Sequence, residues 1–464
     1  MSSEPRDRTG LALVAVLATS LLVRVYLVLS GGLFYWPDER RYEVSRSLVD
    51  ILREGDIGGA LRGIAAAPDH VGFKILGVIP AAIEAALGAD LRIPGLFFCG
   101  ASVASIALTW AIALRAGAGR REALWAAILM AVSVPFLYYA RHLLPYDVAL
   151  ASGLFAVWLA TGKVDGVRAF AAGAAASATF LTYNGYWTIA GIALLACIAA
   201  PPWHWRDLLL RGAGAVLGFG VPIWCIAMAC ALAGGDFLGS LVSFSATIDQ
   251  GDFAEGWRVP FAYLGTANPL LLGVWLAALL YAAQLVGRRR GPARAAQALG
   301  AVVVIYACLA LSSSVFDKFV VYGRLVRQLV PFLCLLAAFG LERLRGVPGW
   351  GSRAFAGAMA LILVCAGVDF HRPLTQVFPR EFEDAVREIG MARPGRYHLV
   401  QAVHIYPEAV EEVVTAPHEI VLSAFHPLQY RPYQYEGYGP EQRRTLREVD
   451  ITMRAVRFDD PPTR

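Results

Sequence analysis

Apolar runs of about the length that crosses a bilayer recur along most of this chain, and that recurrence limits its fold more than any other feature. A hydrocarbon layer of ~30 Å asks for about 20 apolar residues per helix, because an unpaired backbone N–H or C=O in lipid costs several kcal/mol. Such runs fall roughly at residues 11–30, 93–114, 122–139, 147–161, 168–182, 186–201, 212–232, 264–286, 296–312, 326–342 and 354–368, which predicts a polytopic α-helical membrane protein of about 11 transmembrane helices. Composition agrees. Of 464 residues 57% are hydrophobic and 17% charged, where soluble domains carry about a quarter charged. A soluble multidomain enzyme and a disordered chain are thereby excluded, and with no basic face there is no nucleic-acid partner. The seven cysteines all lie in apolar runs, so they read as buried small hydrophobes and not as a disulfide or zinc framework.

Positive charge orients the chain. With a cytoplasmic N-terminus, the inside segments (1–10, 115–121, 162–168, 203–211, 287–294 and 343–353) hold 16 Lys and Arg in 52 residues, and the short outside segments hold 11 in 121. The first run lacks a small-residue cleavage site and continues into Phe34, Tyr35 and Trp36, so it reads as a retained helix. An odd number of crossings puts 369–464 outside. That stretch has a helix-like segment at Arg380–Ile389 and strand-like runs at His398–Val403 and Glu419–Ala424, as in a small α/β domain. The expected organisation is a transmembrane domain over 1–368, with a first external loop at 31–91 carrying juxtamembrane helices, and a C-terminal external domain over 369–464. The expected location is the cytoplasmic (inner) membrane.

Three external features carry chemistry. The first loop opens with Trp36-Pro37-Asp38-Glu39-Arg40-Arg41-Tyr42, continues as an amphipathic helix through Val44, Leu48, Ile51 and Leu52, and then holds an apolar stretch, Val71–Leu87, interrupted by Lys74, Pro80 and Glu84. Those interruptions suit a helix lying at the outer interface. Asp38 and Glu39 have a helix-capping reading beside a functional one. The second feature, Tyr138 to Asp147, sets Arg141 and Asp147 at the mouth of the bundle, either lining a polar cavity or forming an interfacial ion pair. The third runs from Ser312 through Lys318 and Tyr322-Gly323-Arg324 to Arg327. Two of only three lysines, Lys74 and Lys318, lie in these loops; external cations suit a phosphate or, alternatively, lipid headgroups.

These residues carry a resemblance. Asp38-Glu39-x-x-Tyr42 running into Glu54-Gly55-Asp56 resembles the first-loop motif of the GT-C superfamily of membrane glycosyltransferases, in particular the protein O-mannosyltransferases and the lipid A aminoarabinose and galacturonic acid transferases. Arg92-Ile93-Pro94, Arg141 to Asp147, and Lys318 with Tyr322-Gly323-Arg324 through Pro331 resemble later elements of that family, in order, over about residues 10–345. Asp69-His70-Val71-Gly72 and Thr182-Tyr183-Asn184-Gly185 depart from it, standing where many members have His/Lys-Pro-Pro and Thr-Lys-Gly.

The resemblance implies an inverting transfer of one sugar from a polyprenyl-phosphate donor to a lipid, glycan or protein acceptor at the outer face. An acceptor hydroxyl must lose its proton as it attacks, and the leaving phosphate must be met by cations. Asp38 is then the general base with Glu39 orienting the acceptor or Asp38 itself. Lys318, Arg324, Arg141 and Lys74 are the phosphate ligands, and Tyr42, Asp147, His70 and Tyr322 support the pocket. Some superfamily members use a divalent metal, which leaves Asp38 open as a metal ligand, although no His/Cys set points to one. Two rival classes are a transporter or flippase for an anionic or lipid-linked substrate, with Arg24 as its one mid-membrane charge unless that side chain snorkels outward, and a sensor or assembly subunit working through 369–464.

Overall fold

The computed structural model describes residues 9–29, 38–88, 92–140, 143–247, 256–318, 321 and 323–375, with the side chains of 38–40, 246, 247, 369 and 371–375 outside that description. All regular structure among the described residues is helical. In chain order the helices are α1 (Thr9–Leu29), α2 (Asp38–Arg53), α3 (Ile57–Ala66), α4 (Val71–Leu87), α5 (Arg92–Arg115), α6 (Arg120–Ala131), α7 (Val134–Tyr139), α8 (Tyr146–Ala160) and α9 (Gly166–Thr182). There follow α10 (Trp187–Ala199), α11 (Trp205–Leu232), α12 (Phe237–Thr247), α13 (Val259–Ala267), α14 (Pro269–Gly287), α15 (Ala293–Ser314), α16 (Gly323–Val326), α17 (Val330–Arg345) and α18 (Gly351–Thr375).

A helix stands at every apolar run, and 7 of them are long and apolar enough to cross a membrane: α1, α5, α11, α14, α15, the run Gly323–Arg345, and Gly351–Val368 of α18. The others, α6 with α7, α8, α9 and α10, are shorter. The region expected to form an external α/β domain lies outside the described residues beyond Thr375.

Two runs that read as continuous are broken. Residues 122–139 divide into α6 and α7 at Val132–Ser133, and 264–286 into α13 and α14 at Asn268. A proline stands in the first turn of the second helix of each pair, Pro135 and Pro269, where it continues a helix forward but cannot accept one from behind. The breaks meet: Asn268 Oδ1 accepts hydrogen bonds from the Val134 backbone N–H at 3.0 Å and from Ser133 Oγ at 3.4 Å. The carboxamide thus takes over a donor orphaned by the break.

The run Gly323–Arg345 is 83% buried and α11 only 17%, so the former is the axis of the bundle and the latter its outer wall. α11 is held by its seam with α9. A Cβ added at Gly214 or Gly218 would strike the main-chain oxygen of Gly166 or Phe170, so the two backbones touch where a larger residue would part them.

In the first loop α2 lies on α4, burying Tyr42, Ser45, Leu48 and Val49. This face is rotated from the one the sequence suggests: Leu52 is 42% exposed, because Tyr42 and Ser45 both find polar partners on or beside α4 and draw that side inward. α4 is continuous through Pro80, and its charged interruptions point into the protein, where Lys74 and Glu84 are buried. Its opposite face shows Ile75, Ile79, Ile83 and Leu87. Among the cysteines, Cys99, Cys197, Cys230 and Cys334 are buried as expected, but Cys225 is exposed on the outer wall.

Candidate active site

The site is assembled from four chain segments far apart in sequence. The connection into α4 supplies Asp69 and His70. Asp69 Oδ1 accepts a hydrogen bond from Lys74 Nζ at 2.7 Å, and its Oδ2 lies 3.9 Å from Arg41 Nε. Lys74 also donates to the Ala67 carbonyl at 2.9 Å. Burial draws the Lys74 pKa below its ordinary value, with the Asp69 carboxylate opposing that pull. A phosphate reaching Lys74 would have to share it with Asp69.

His70 opens α4 in the left-handed region at φ 54°. It is buried, and a Cβ on neighbouring Gly72 would crowd Thr182, so this turn sits directly on the end of α9. The ring meets Tyr183 at 5.2 Å between centroids and bonds the Thr182 main chain, while Nδ1 has no hydrogen-bond partner. Burial first, then the charges of Arg41, Lys74 and Arg324, hold the imidazole well below its ordinary pKa. It is therefore a neutral ring among cations.

From His70 a chain of rings leads into the bundle. Tyr183 packs on Tyr146 at 4.7 Å and on Tyr186 at 5.1 Å, and Tyr146 on Tyr139 at 5.5 Å. Arg324, half-buried on α16, donates from Nη1 to Tyr146 Oη at 2.8 Å, and its carbonyl accepts from Tyr186 Oη at 3.0 Å. Gln328 ties the same two segments together. Its Oε1 accepts from Thr188 Oγ1 at 2.6 Å and from the Ile189 N–H at 3.2 Å, and its Nε2 donates to the Gly185 carbonyl at 3.1 Å.

One layer deeper, Asp147 forms a fully buried ion pair with Arg327, whose guanidinium lies 4.4 Å from the Tyr139 ring centre and 4.7 Å from that of Phe136. Arg24 does not snorkel outward. It is 1% exposed, bonded to Ser102 Oγ at 2.9 Å and to the Ser20 and Phe136 carbonyls. Partners inside the bundle satisfy it, so its stem has no reason to reach for the interface. Charges this deep, in a protein whose outer wall α11 shows Leu210, Val216, Leu217 and Trp224 to its surroundings, belong to a lipid-embedded bundle. The chain is a multi-pass helical membrane protein.

Of the residues singled out from sequence, His70, Lys74, Asp147 and Arg324 thus fall in or directly beneath one polar network. Tyr42 lies beside it, fully buried between α2 and α4. Its hydroxyl donates to Glu84 Oε2 at 2.6 Å, and Arg46 closes on Glu84 bidentately at 2.8 and 3.0 Å. Burial and the Glu84 hydrogen bond push the Tyr42 phenol far above its ordinary pKa. Lys318 stands on the exposed turn after α15, its N–H donating to the Ser312 carbonyl at 2.8 Å. The side chains of Asp38 and Glu39, and all of Arg141 and Tyr322, lie outside the described residues; the α2 backbone begins at Asp38, one turn before Tyr42.

Sequence reasoning missed Arg41, Glu84 as a clasp, the Tyr146–Tyr183–Tyr186 stack and Gln328. The signal for the last was available as a lone amide in an apolar run, Val326-Arg327-Gln328-Leu329-Val330. Among the described residues no group of three or more His, Cys, Asp or Glu gathers as a metal site would require.

No family model and no curated protein matches the chain. Among solved structures it is similar to the archaeal oligosaccharyltransferase AglB from Archaeoglobus fulgidus, determined in complex with an inhibitory peptide and a dolichol-phosphate, at 14% identity and a TM-score of 0.47. The match covers 82% of this chain and 58% of AglB, so this chain spans less than two thirds of that protein.

Proposed function

We propose that the chain is a GT-C-like membrane glycosyltransferase that moves a single sugar from a polyprenyl-phosphate donor to a lipid, glycan or protein acceptor at the outer face, with inversion. One observation carries the reading. Segments Tyr146–Asp147 and Arg324–Gln328, which carry elements of the family resemblance, form one connected network with Asp69–Lys74 and Thr182–Tyr186, which stand at family motif positions where this sequence departs from the pattern. In the reaction an acceptor oxygen attacks the anomeric carbon as the sugar–phosphate bond breaks. Asp38 takes the hydroxyl proton, with Glu39 positioning, and the electron pair leaves with the lipid phosphate. Arg324 is the foremost ligand for that phosphate, preset by Tyr146, with Lys318, Arg141 and Lys74 around it. In the alternative that the resemblance leaves open, Asp38 holds a divalent ion instead of taking the proton; Tyr322 completes the pocket wall.

The topology goes with the reaction. Seven long helices and four shorter helical stretches make eleven crossings, α4 lies flat at the outer interface with its isoleucine stripe toward the acyl chains, and the N-terminus is cytoplasmic. The C-terminal α/β domain is then external, on an inner-membrane protein.

The experiment is transfer by purified protein in nanodiscs, with donor and acceptor identified by mass spectrometry of envelope lipids and glycans from deletion and parent strains. Asp38→Asn keeps side-chain size and still caps a helix, and loss of a general base lowers turnover about 10²–10⁴-fold. Arg324→Ala and Lys318→Ala should weaken donor binding separately. Near-normal transfer by a normally expressed Asp38→Asn protein refutes the assignment. The carrier reading draws on the buried Arg24, Asp147 and Arg327, and substrate uptake by sealed vesicles with no sugar transfer would favour it.

A further inference from the structure

A second feature lies at the other end of the bundle and owes nothing to the transferase reading. α14 and α17 run side by side, and where small side chains face one another (Ala277 and Ala278 on α14, Ala337 and Gly340 on α17) they leave an apolar crevice of about 380 Å³. No acid lines it, and its one charged lining residue is Arg343, near the C-terminal end of α17. Arg343 is exposed, lies 5.5 Å over the Phe339 ring, and makes no ion pair among the described residues. Its neighbour Glu342 is engaged with Arg345 at 3.0 Å. α14 ends directly before Arg288, Arg289 and Arg290, all exposed.

We propose that this crevice seats one acyl chain of an anionic phospholipid whose phosphate is held by Arg343 at the arginine-rich end of α14 and α17. α14 and the run Gly323–Arg345 that ends in α17 are each long enough to span, so the fluid around the crevice is lipid. Its volume is that of a small-molecule site. A second copy in the same membrane orientation would bring its own arginines to the same level, and like charges would oppose the contact. A phospholipid with a net negative headgroup meets both the apolar slot and the unpaired cation, and anionic lipids are the partners that basic clusters at membrane surfaces recruit.

The test is native mass spectrometry of the full chain released from nanodiscs of equimolar phosphatidylglycerol and phosphatidylcholine. The wild-type protein should carry phosphatidylglycerol in preference. Arg343→Gln should lower its retention about fivefold, as expected for one arginine near a charged headgroup, and Arg343→Lys should restore most of it. Gly340→Leu should lower it too, by filling the slot; a Cβ there meets Ala278 only at 3.7 Å, so the backbone tolerates the change. Should Gly340→Leu fail to fold, the exposed Arg343 pair carries the test alone. Equal retention of both lipids by the wild type, or unchanged phosphatidylglycerol in Arg343→Gln, overturns the proposal. So does a dimer peak that Gly340→Leu abolishes, which would assign the crevice to a second copy.

Discussion

Removing the Glu84 carboxylate should detach the helix that bears the Asp38-Glu39 pair. Glu84 is 3% exposed and accepts three hydrogen bonds, one from the fully buried Tyr42 and two from Arg46. In Glu84→Ala the Tyr42 hydroxyl stays buried without an acceptor, at about 1–3 kcal/mol. Arg46 is 25% exposed and rehydrates, so its lost pair is worth up to about 1 kcal/mol. The α2–α4 contact therefore weakens by roughly 1–4 kcal/mol. That opening is local, because α2 packs on the loop helices α3 and α4 and not on the bundle axis. Amide hydrogen exchange over 42–49 should speed up by about 5- to 700-fold with the spanning helices unchanged. Glu84→Gln keeps an acceptor for Tyr42 and should show the smaller part of the effect; Tyr42→Phe should show less than Glu84→Ala, since Arg46 then keeps its carboxylate. If exchange in α2 is the same in Glu84→Ala as in the wild type, the clasp does not hold the helix and the reasoning fails.

Two further outcomes follow from the geometry. His70 is held neutral in the folded protein, so below about pH 6.5 the unfolded chain binds a proton that the native state refuses; stability is full above that pH and declines beneath it by up to about 1.4 kcal/mol per unit. His70→Asn, which tolerates the left-handed backbone, should remove this component from thermal melts taken between pH 7.5 and 5, and parallel curves for the two proteins would contradict it. Gly218→Val should cost about 3 kcal/mol or lose the folded protein by forcing α9 and α11 apart, whereas Gly220→Val, with nothing within 4 Å of its added carbon, should change stability by less than about 0.5 kcal/mol; equal effects on folded yield in detergent would deny the seam.

How much of this the sequence discloses depends on the range of each interaction. Helix positions come from local apolar runs, and a helix stands at each. The breaks at Ser133 and Asn268 have local signals in Pro135 and Pro269, but that one carboxamide serves both is a tertiary fact. The same holds at the site. Arg141 to Asp147 reads as a neighbouring pair along the chain, yet Asp147 is bonded to Arg327, 180 residues away. Lys74 and Glu84 read as flaws in an apolar stretch, because nothing local says that Asp69, Tyr42 and Arg46 wait for them. The close seam of α9 with α11 could have been seen, since Gly214-Ala215-Val216-Leu217-Gly218 places two glycines one turn apart within an apolar run.

The carboxamide between the two broken helices also has a consequence for synthesis. Val134 emerges from the ribosome 134 residues before Asn268, so at ~5–20 residues per second its N–H exists for roughly 7–27 s without its acceptor. During that interval α6 and α7 form a hinge with an open donor at its elbow, best served by water or by the insertion machinery. Closure of the first half of the bundle therefore waits on translation of the second, and a ribosome stalled between α7 and α13 would leave an intermediate still wet at that depth.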